Sequence, residues 1–166
     1  MSVTATLRFS MPITETLTDN VDGSASPVIN HTSFDKTISL DAAGSGSSGP
    51  IVAAYVDEID LVAGAFTLDL TALPQSGGGT FDGTTMKVQG FRVEYPTVNA
   101  NTLLIATGAS NGYDIFGGAT HEILLSPGCL FQAYWDDKLQ DISATDKTID
   151  FTGTGTENFF LTLLVG

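Results

Sequence analysis

A chain of 166 residues has the length of one domain and can bury a substantial core without covalent staples. Apolar residues make up 42% of it, which excludes a disordered chain. Its 19 acids outnumber six scattered bases, for a net charge of −13, and no nucleic-acid partner is expected because a phosphate backbone needs clustered cations to displace its counterions.

From the start, Val3, Ala5, Leu7, Phe9 and Met11 alternate with Ser2, Thr4, Thr6, Arg8 and Ser10. This is the period of a half-buried strand, ended or placed at a sheet edge by Pro12. Met1–Met11 lacks a basic n-region and a continuous apolar run, so no secretory signal is expected. No stretch approaches the roughly 20 apolar residues of a membrane-spanning helix, so no membrane is expected either. Residues 18–30 are rich in Thr, Asp, Asn, Gly, Ser and Pro and read as a loop or extended arm. A short strand is predicted over Phe34–Leu40. Gly44–Pro50 (GSGSSGP) reads as a flexible surface loop, since the segments beside it are short for separate cores.

Residues 51–62 carry two patterns. Val52, Tyr55, Val56, Ile59 and Val62 approximate a helical stripe, whereas Val52, Ala54 and Val56 alternate. A strand is preferred because Phe66, Leu68, Leu70 and Ala72 alternate next to it, with Ala63-Gly64 suited to a tight hairpin turn between the two. Pro74–Gly83 reads as a loop with Gly77-Gly78-Gly79 at its tip. Met86–Tyr95 and Leu103–Thr107 read as strands around a turn at Asn99-Ala100-Asn101. Gly108–Gly118 is turn-rich. His121–Leu125 and Leu130–Trp135 are strands joined by Ser126-Pro127-Gly128, a type II turn signal. Beyond a polar loop at Asp136–Asp146, the strands Lys147–Thr152 and Glu157–Val165 are joined by Gly153-Thr154-Gly155. Nine or ten short strands without a helix predict an all-β, antiparallel fold, a sandwich or a barrel. Residues 1–166 are expected to form one such domain. Residues 1–50 would supply N-terminal strands and a flexible loop or arm, and residues 51–166 the main sandwich.

The sequence offers few candidates for chemistry. Gly108-Ala109-Ser110-Asn111-Gly112 fits the G-x-S-x-G nucleophile pattern, and Asp114 and His121 follow in triad order. That pattern requires a strand-to-helix turn, which Tyr113–Ala119 does not offer, so a Gly/Asn-rich β-turn is the preferred reading. Two histidines, His31 and His121, and one cysteine, Cys129, make no zinc cluster and no intrachain disulfide. Cys129 is expected to be a buried or strand-edge thiol. Asp19-Asn20-Val21-Asp22-Gly23 resembles a fragment of a calcium loop without its downstream Glu; Asp57-Glu58-Ile59-Asp60 and Asp136-Asp137 read as solvated acids. No catalytic, cofactor or metal residue is assigned, and no enzyme activity is expected. The remaining signal is aromatic: Phe91, Tyr95, Tyr113, Phe116, Tyr134 and Trp135 lie in or beside turn-rich segments and read either as core or as interface residues.

Four stretches taken together carry a resemblance: Phe66–Pro74 (FTLDLTALP), Gly83–Val93 (GTTMKVQGFRV), Ala109–Tyr113 (ASNGY) and Lys147–Gly155 (KTIDFTGTG), with Ser126-Pro127-Gly128 among them. The set, covering residues 60–166, is similar to a group of small virion proteins encoded near the capsid genes of tailed bacteriophages. The resemblance implies a head decoration or cement protein of β-sandwich or jelly-roll type. It implies a virion location, the major capsid protein as partner, and self-association as a dimer or trimer. A disulfide-free β fold suits folding in a reducing host cytoplasm, and low basicity suits a place outside a shell filled with DNA. The alternative is a carbohydrate-binding or tail-associated receptor-binding module using Tyr113 and Trp135 with a structural calcium.

Overall fold

The structure, a computed structural model, describes residues 3–16, 28–31, 35–44, 50–75, 78–118, 121–136 and 138–166. Among them are fourteen strands and no helix. The strands are β1 (Thr4–Phe9), β2 (Ile13–Thr16), β3 (Val28–His31), β4 (Lys36–Asp41), β5 (Ala53–Asp60), β6 (Ala65–Asp69), β7 (Leu73–Pro74), β8 (Thr80–Phe81), β9 (Val88–Glu94), β10 (Leu103–Thr107), β11 (Glu122–Leu125), β12 (Leu130–Tyr134), β13 (Thr148–Thr152) and β14 (Asn158–Val165). The expected nine or ten strands fell short because β2, just after Pro12, was not foreseen and three more sit where turn-rich composition masked them. β3 lies inside the predicted loop 18–30, and β7 and β8 pair inside the predicted loop 74–83. The rest of the first loop, the glycine tip at Gly77 and residues 45–49 lie outside the described residues.

Eight strands build two antiparallel four-stranded sheets, in the orders β11-β10-β13-β6 (sheet I) and β12-β9-β14-β5 (sheet II). Their pairing is nested. The first of the eight pairs with the last (β5 with β14), the second with the seventh (β6 with β13), the third with the sixth (β9 with β12) and the fourth with the fifth (β10 with β11). The ladders β9–β14 and β10–β13 close each sheet. The chain therefore passes from one sheet to the other at several connections that look like hairpin turns in sequence.

Ala63-Gly64 is one of these connections. The turn forms as expected, with Val62 and Ala65 exchanging both backbone hydrogen bonds and both central residues at positive φ (53° and 81°). It does not make a hairpin, because β5 belongs to sheet II and β6 to sheet I. The backbone of the turn bonds instead to the second corner: Gly64 N donates to Gly155 O, and Gly153 N donates to Gly64 O. Ser126-Pro127-Gly128 forms its type II turn, with Gly128 at φ 85° and Cys129 N donating to Ser126 O, and also joins strands of different sheets.

Period-two patterning fills the space between the sheets. Leu68, Ile105, Ile149 and Phe151 point inward from sheet I; Tyr55, Ile59, Phe91, Val93, Phe159, Leu161 and Leu163 do so from sheet II. The centre is aromatic. Phe151 of sheet I stacks on Phe159 of sheet II at a centroid distance of 4.6 Å, and Phe66, Phe91, Phe131 and Trp135 extend the cluster. At one corner Glu157 acts as a staple. Its Oε1 accepts from the backbone N–H groups of Ala100 and Asn101 and from Asn101 Nδ2, and its Oε2 accepts from the Tyr95 hydroxyl at 2.8 Å.

The hydrogen bond from Ala100 N, then that from Tyr95, hold the Glu157 carboxyl down to about 2. A depressed carboxylate stabilises the fold above its unfolded value of 4.5 and loses that contribution as pH falls toward 2. Two outcomes follow. Thermal melts of Glu157→Gln should show a lower midpoint than wild type at pH 7, with the gap closing toward pH 2. Denaturant titration of Phe151→Ala should show a loss of about 3–5 kcal/mol, the usual cost of deleting a buried phenyl ring.

Candidate interaction surface

The N-terminal strands of the chain form two antiparallel pairs, β1 with β4 and β2 with β3. The predicted alternation holds through Phe9. Leu7 and Leu40 are buried, and Val3, Ala5, Phe9 and Ile38 are partly buried with them. Together they cover part of the outer face of sheet II, over Leu164, Ile51 and Tyr134. Met11, predicted on that same face, is instead exposed, because the ribbon has reached the sheet's edge. Gln132 of the edge strand β12 donates to Arg8 O, only three residues before Met11.

Strand register sets out the rest of that outer face. Ala54, Leu164, Gly90 and Tyr134 form the row nearest the ribbon; Val56, Thr162, Arg92 and Gln132 the next; Glu58, Phe160, Glu94 and Leu130 the third. Leu7 sits over the first row, close to Leu164 and Gly90. The other two rows form an open trench with two recesses. One, of about 300 Å³, lies along β1 from Leu7 to Arg92; the other, of about 580 Å³, lies over Val56, Glu58, Phe160 and Glu94. Arg92 and Thr162 line both. Arg92 pairs with Glu94 at 2.7 Å, and Glu58 accepts from Asn158 Nδ2 at 2.6 Å. Val56 and Phe160 are exposed as diagonal neighbours on β5 and β14, and Leu130 is exposed on the far side of Glu94.

The residues singled out for chemistry have local partners. Ser110 lies in the β10–β11 connection, where its carbonyl accepts from the Thr148 hydroxyl. Asp114 accepts from the Phe116 backbone N–H, and His121 lies beside Gly118 before β11. The Gly108 and Gly112 of the motif have a packing reason. A methyl group at Gly108 would overlap Thr148, and one at Gly112 would overlap the Gly108 carbonyl. Among the described residues no group of three or more His, Cys, Asp or Glu is placed to hold a metal ion. Asp57 accepts from the Tyr55 hydroxyl and Asp136 from the Tyr134 hydroxyl. Asp19–Gly23 and Asp137 lie outside the described residues.

Of the two readings of the aromatics, core packing holds for most. Phe91, Tyr95 and Tyr113 are fully buried, while Phe116 and Trp135 pack partly buried against the core. Tyr113 donates to Gln140 O and accepts from Val88 N, joining three segments at one end of the sandwich, and burial pushes its hydroxyl up to about 12. It offers no face to a sugar. Cys129 is exposed, not buried, at the entry to edge strand β12, so only the strand-edge expectation holds. Sequence reading missed the trench. Its signal was present in the apolar residues on both faces of β14, but period alone does not separate a covered outer face from an open one.

No protein-family model, curated protein or solved structure matches this chain significantly. Among the described residues no helix is long and apolar enough to cross a membrane.

The packing account of the G-x-S-x-G segment makes a comparison possible. Gly108→Ala should cost about 2 kcal/mol or more through overlap with Thr148. Ser110→Ala should stay within about 0.5 kcal/mol of wild type in denaturant melts, as an exposed turn substitution does.

Proposed function

We propose that this chain is a structural protein of a virus particle: a head decoration or cement protein of a tailed bacteriophage that binds the major capsid protein on the assembled shell and reinforces it. The observation that carries the reading is an N-terminal strand pair lying on a sandwich whose outer sheet face remains half open, with Val56, Phe160 and Leu130 exposed among polar groups. Such a molecule has large surfaces for adhesion on a rigid frame. The nested pairing of eight strands in two sheets supports the reading, because it is the strand order of a jelly roll, an architecture used by viral capsid and lectin domains. The resemblance of residues 60–166 to proteins encoded near phage capsid genes points the same way. A net charge of −13 suits the outer surface of a shell better than its DNA-facing side.

Mass spectrometry and electron microscopy of purified particles test this directly. The chain should be present at a regular position on the head, and particles made without its gene should lose that density and rupture at lower temperature. Particles of unchanged composition and heat resistance would refute it.

A further inference from the structure

We infer that Asp57 guards the free edge of sheet II: its carboxylate occupies the outward backbone N–H of Glu58 and so keeps β5 from pairing with the β5 of a second copy. The inference does not depend on the virion reading. β5 ends the order of sheet II, and among the described residues no strand pairs with its outer side. At eight residues it is the longest of the four edge strands of the two sheets, against five in β6 and β12 and four in β11. A long edge offers a row of unpaired backbone groups to any other chain, and a short one offers little.

The direction of each N–H on β5 follows from one hydrogen bond. Leu61 N, just past the strand, donates to Glu157 O, just before β14. Successive N–H groups of a strand point to opposite sides, so those of Ile59, Asp57, Tyr55 and Ala53 also turn to β14. Those of Ala54, Val56, Glu58 and Asp60 turn outward. The Glu58 N–H nevertheless has a partner, because Asp57 Oδ1 accepts from it at 3.0 Å. Asp57 Oδ2 accepts from the Tyr55 hydroxyl at 3.1 Å, and Tyr55 is anchored in the core. Burial, then the Asp57 charge, pushes that hydroxyl up to about 12, so it remains a donor at neutral pH.

By alternation Asp57 lies on the core-facing side of β5 with buried Tyr55 and Ile59, yet it is exposed. A charge on the inward side of an edge strand is a device by which sheets refuse a further strand, since a neighbour would have to bury it. A second β5 added antiparallel and centred on Val56 or on Asp57 would need the Glu58 N–H as a ladder donor. Asp57 would have to release that N–H and lose a charge-assisted hydrogen bond as the new strand shuts out water.

Amide hydrogen exchange of the full chain reads the guard directly. The Glu58 N–H should exchange about tenfold or more slowly than the outward N–H groups of Val56 and Asp60. Light scattering across a micromolar concentration series reads the consequence. Asp57→Val removes the acceptor and the charge but keeps a residue suited to a strand, and should associate about tenfold or more tightly than wild type. Asp57→Asn, which keeps an acceptor oxygen, and Asp60→Val, which removes a charge from the same edge but leaves the cap, should each behave as wild type. Asp57→Ala replaces Asp57→Val if the latter fails to fold, and the exchange comparison needs no variant. Equal exchange at Val56, Glu58 and Asp60, no gain in association for Asp57→Val, or the same gain for either of the other two variants would each overturn the inference.

Discussion

Two sheets have each to hide one apolar face, and in this molecule they hide them against each other through aromatic rings. Phe151 from sheet I and Phe159 from sheet II stack face to face at 4.6 Å. Phe91 stacks near-parallel on Phe151, and Phe66 meets both Phe151 and Phe159. An aromatic pair adds about 0.5–1.5 kcal/mol beyond the area it buries. The larger consequence is geometric. Planar rings in contact fix the separation and offset of the sheets, and thereby where each corner must turn.

The corners answer that demand. Residues 61–64 and 153–157 cross between sheets side by side and bond to each other through their backbones, and Glu157 ties in the third crossing segment at Ala100–Asn101. At the other end, the Tyr113 hydroxyl links the starts of β9 and of the loop after β12. Both ends are thus closed by polar groups that collect otherwise orphaned backbone donors and acceptors, which a buried connection requires.

With the inner faces spent on each other, the outer face of sheet II still carries apolar residues of its own, Leu164, Val56, Phe160 and Leu130 among them. The N-terminal ribbon covers its first row, and the alternation of β1 gives that ribbon one apolar side for the sheet and one side of Thr and Arg for water. The second and third rows keep Val56, Phe160 and Leu130 open to solvent beside Arg92 and two glutamates.

The sequence by itself determined ten of the fourteen strands and the turns beside them, but not β2, β3, β7 or β8. Apolar alternation is a local property, and so are the positive φ of Gly64 and the type II geometry at Ser126–Cys129. It also determined the amphipathic character of β1. The chemistry-bearing pattern around Ser110 was legible only as residue types, because glycines that admit a nucleophile's sharp turn are the same glycines that let Thr148 approach. Only the tertiary structure decided which strands pair. A two-residue turn holds its ends together whether the chain returns along the same sheet or crosses to the other, so Ala63-Gly64 could not announce that β5 and β6 lie apart. It decided, too, that Tyr113 is core and Met11 surface. Both fates depend on where another part of the chain stops: the first on the loop that carries Gln140, the second on the edge of β12.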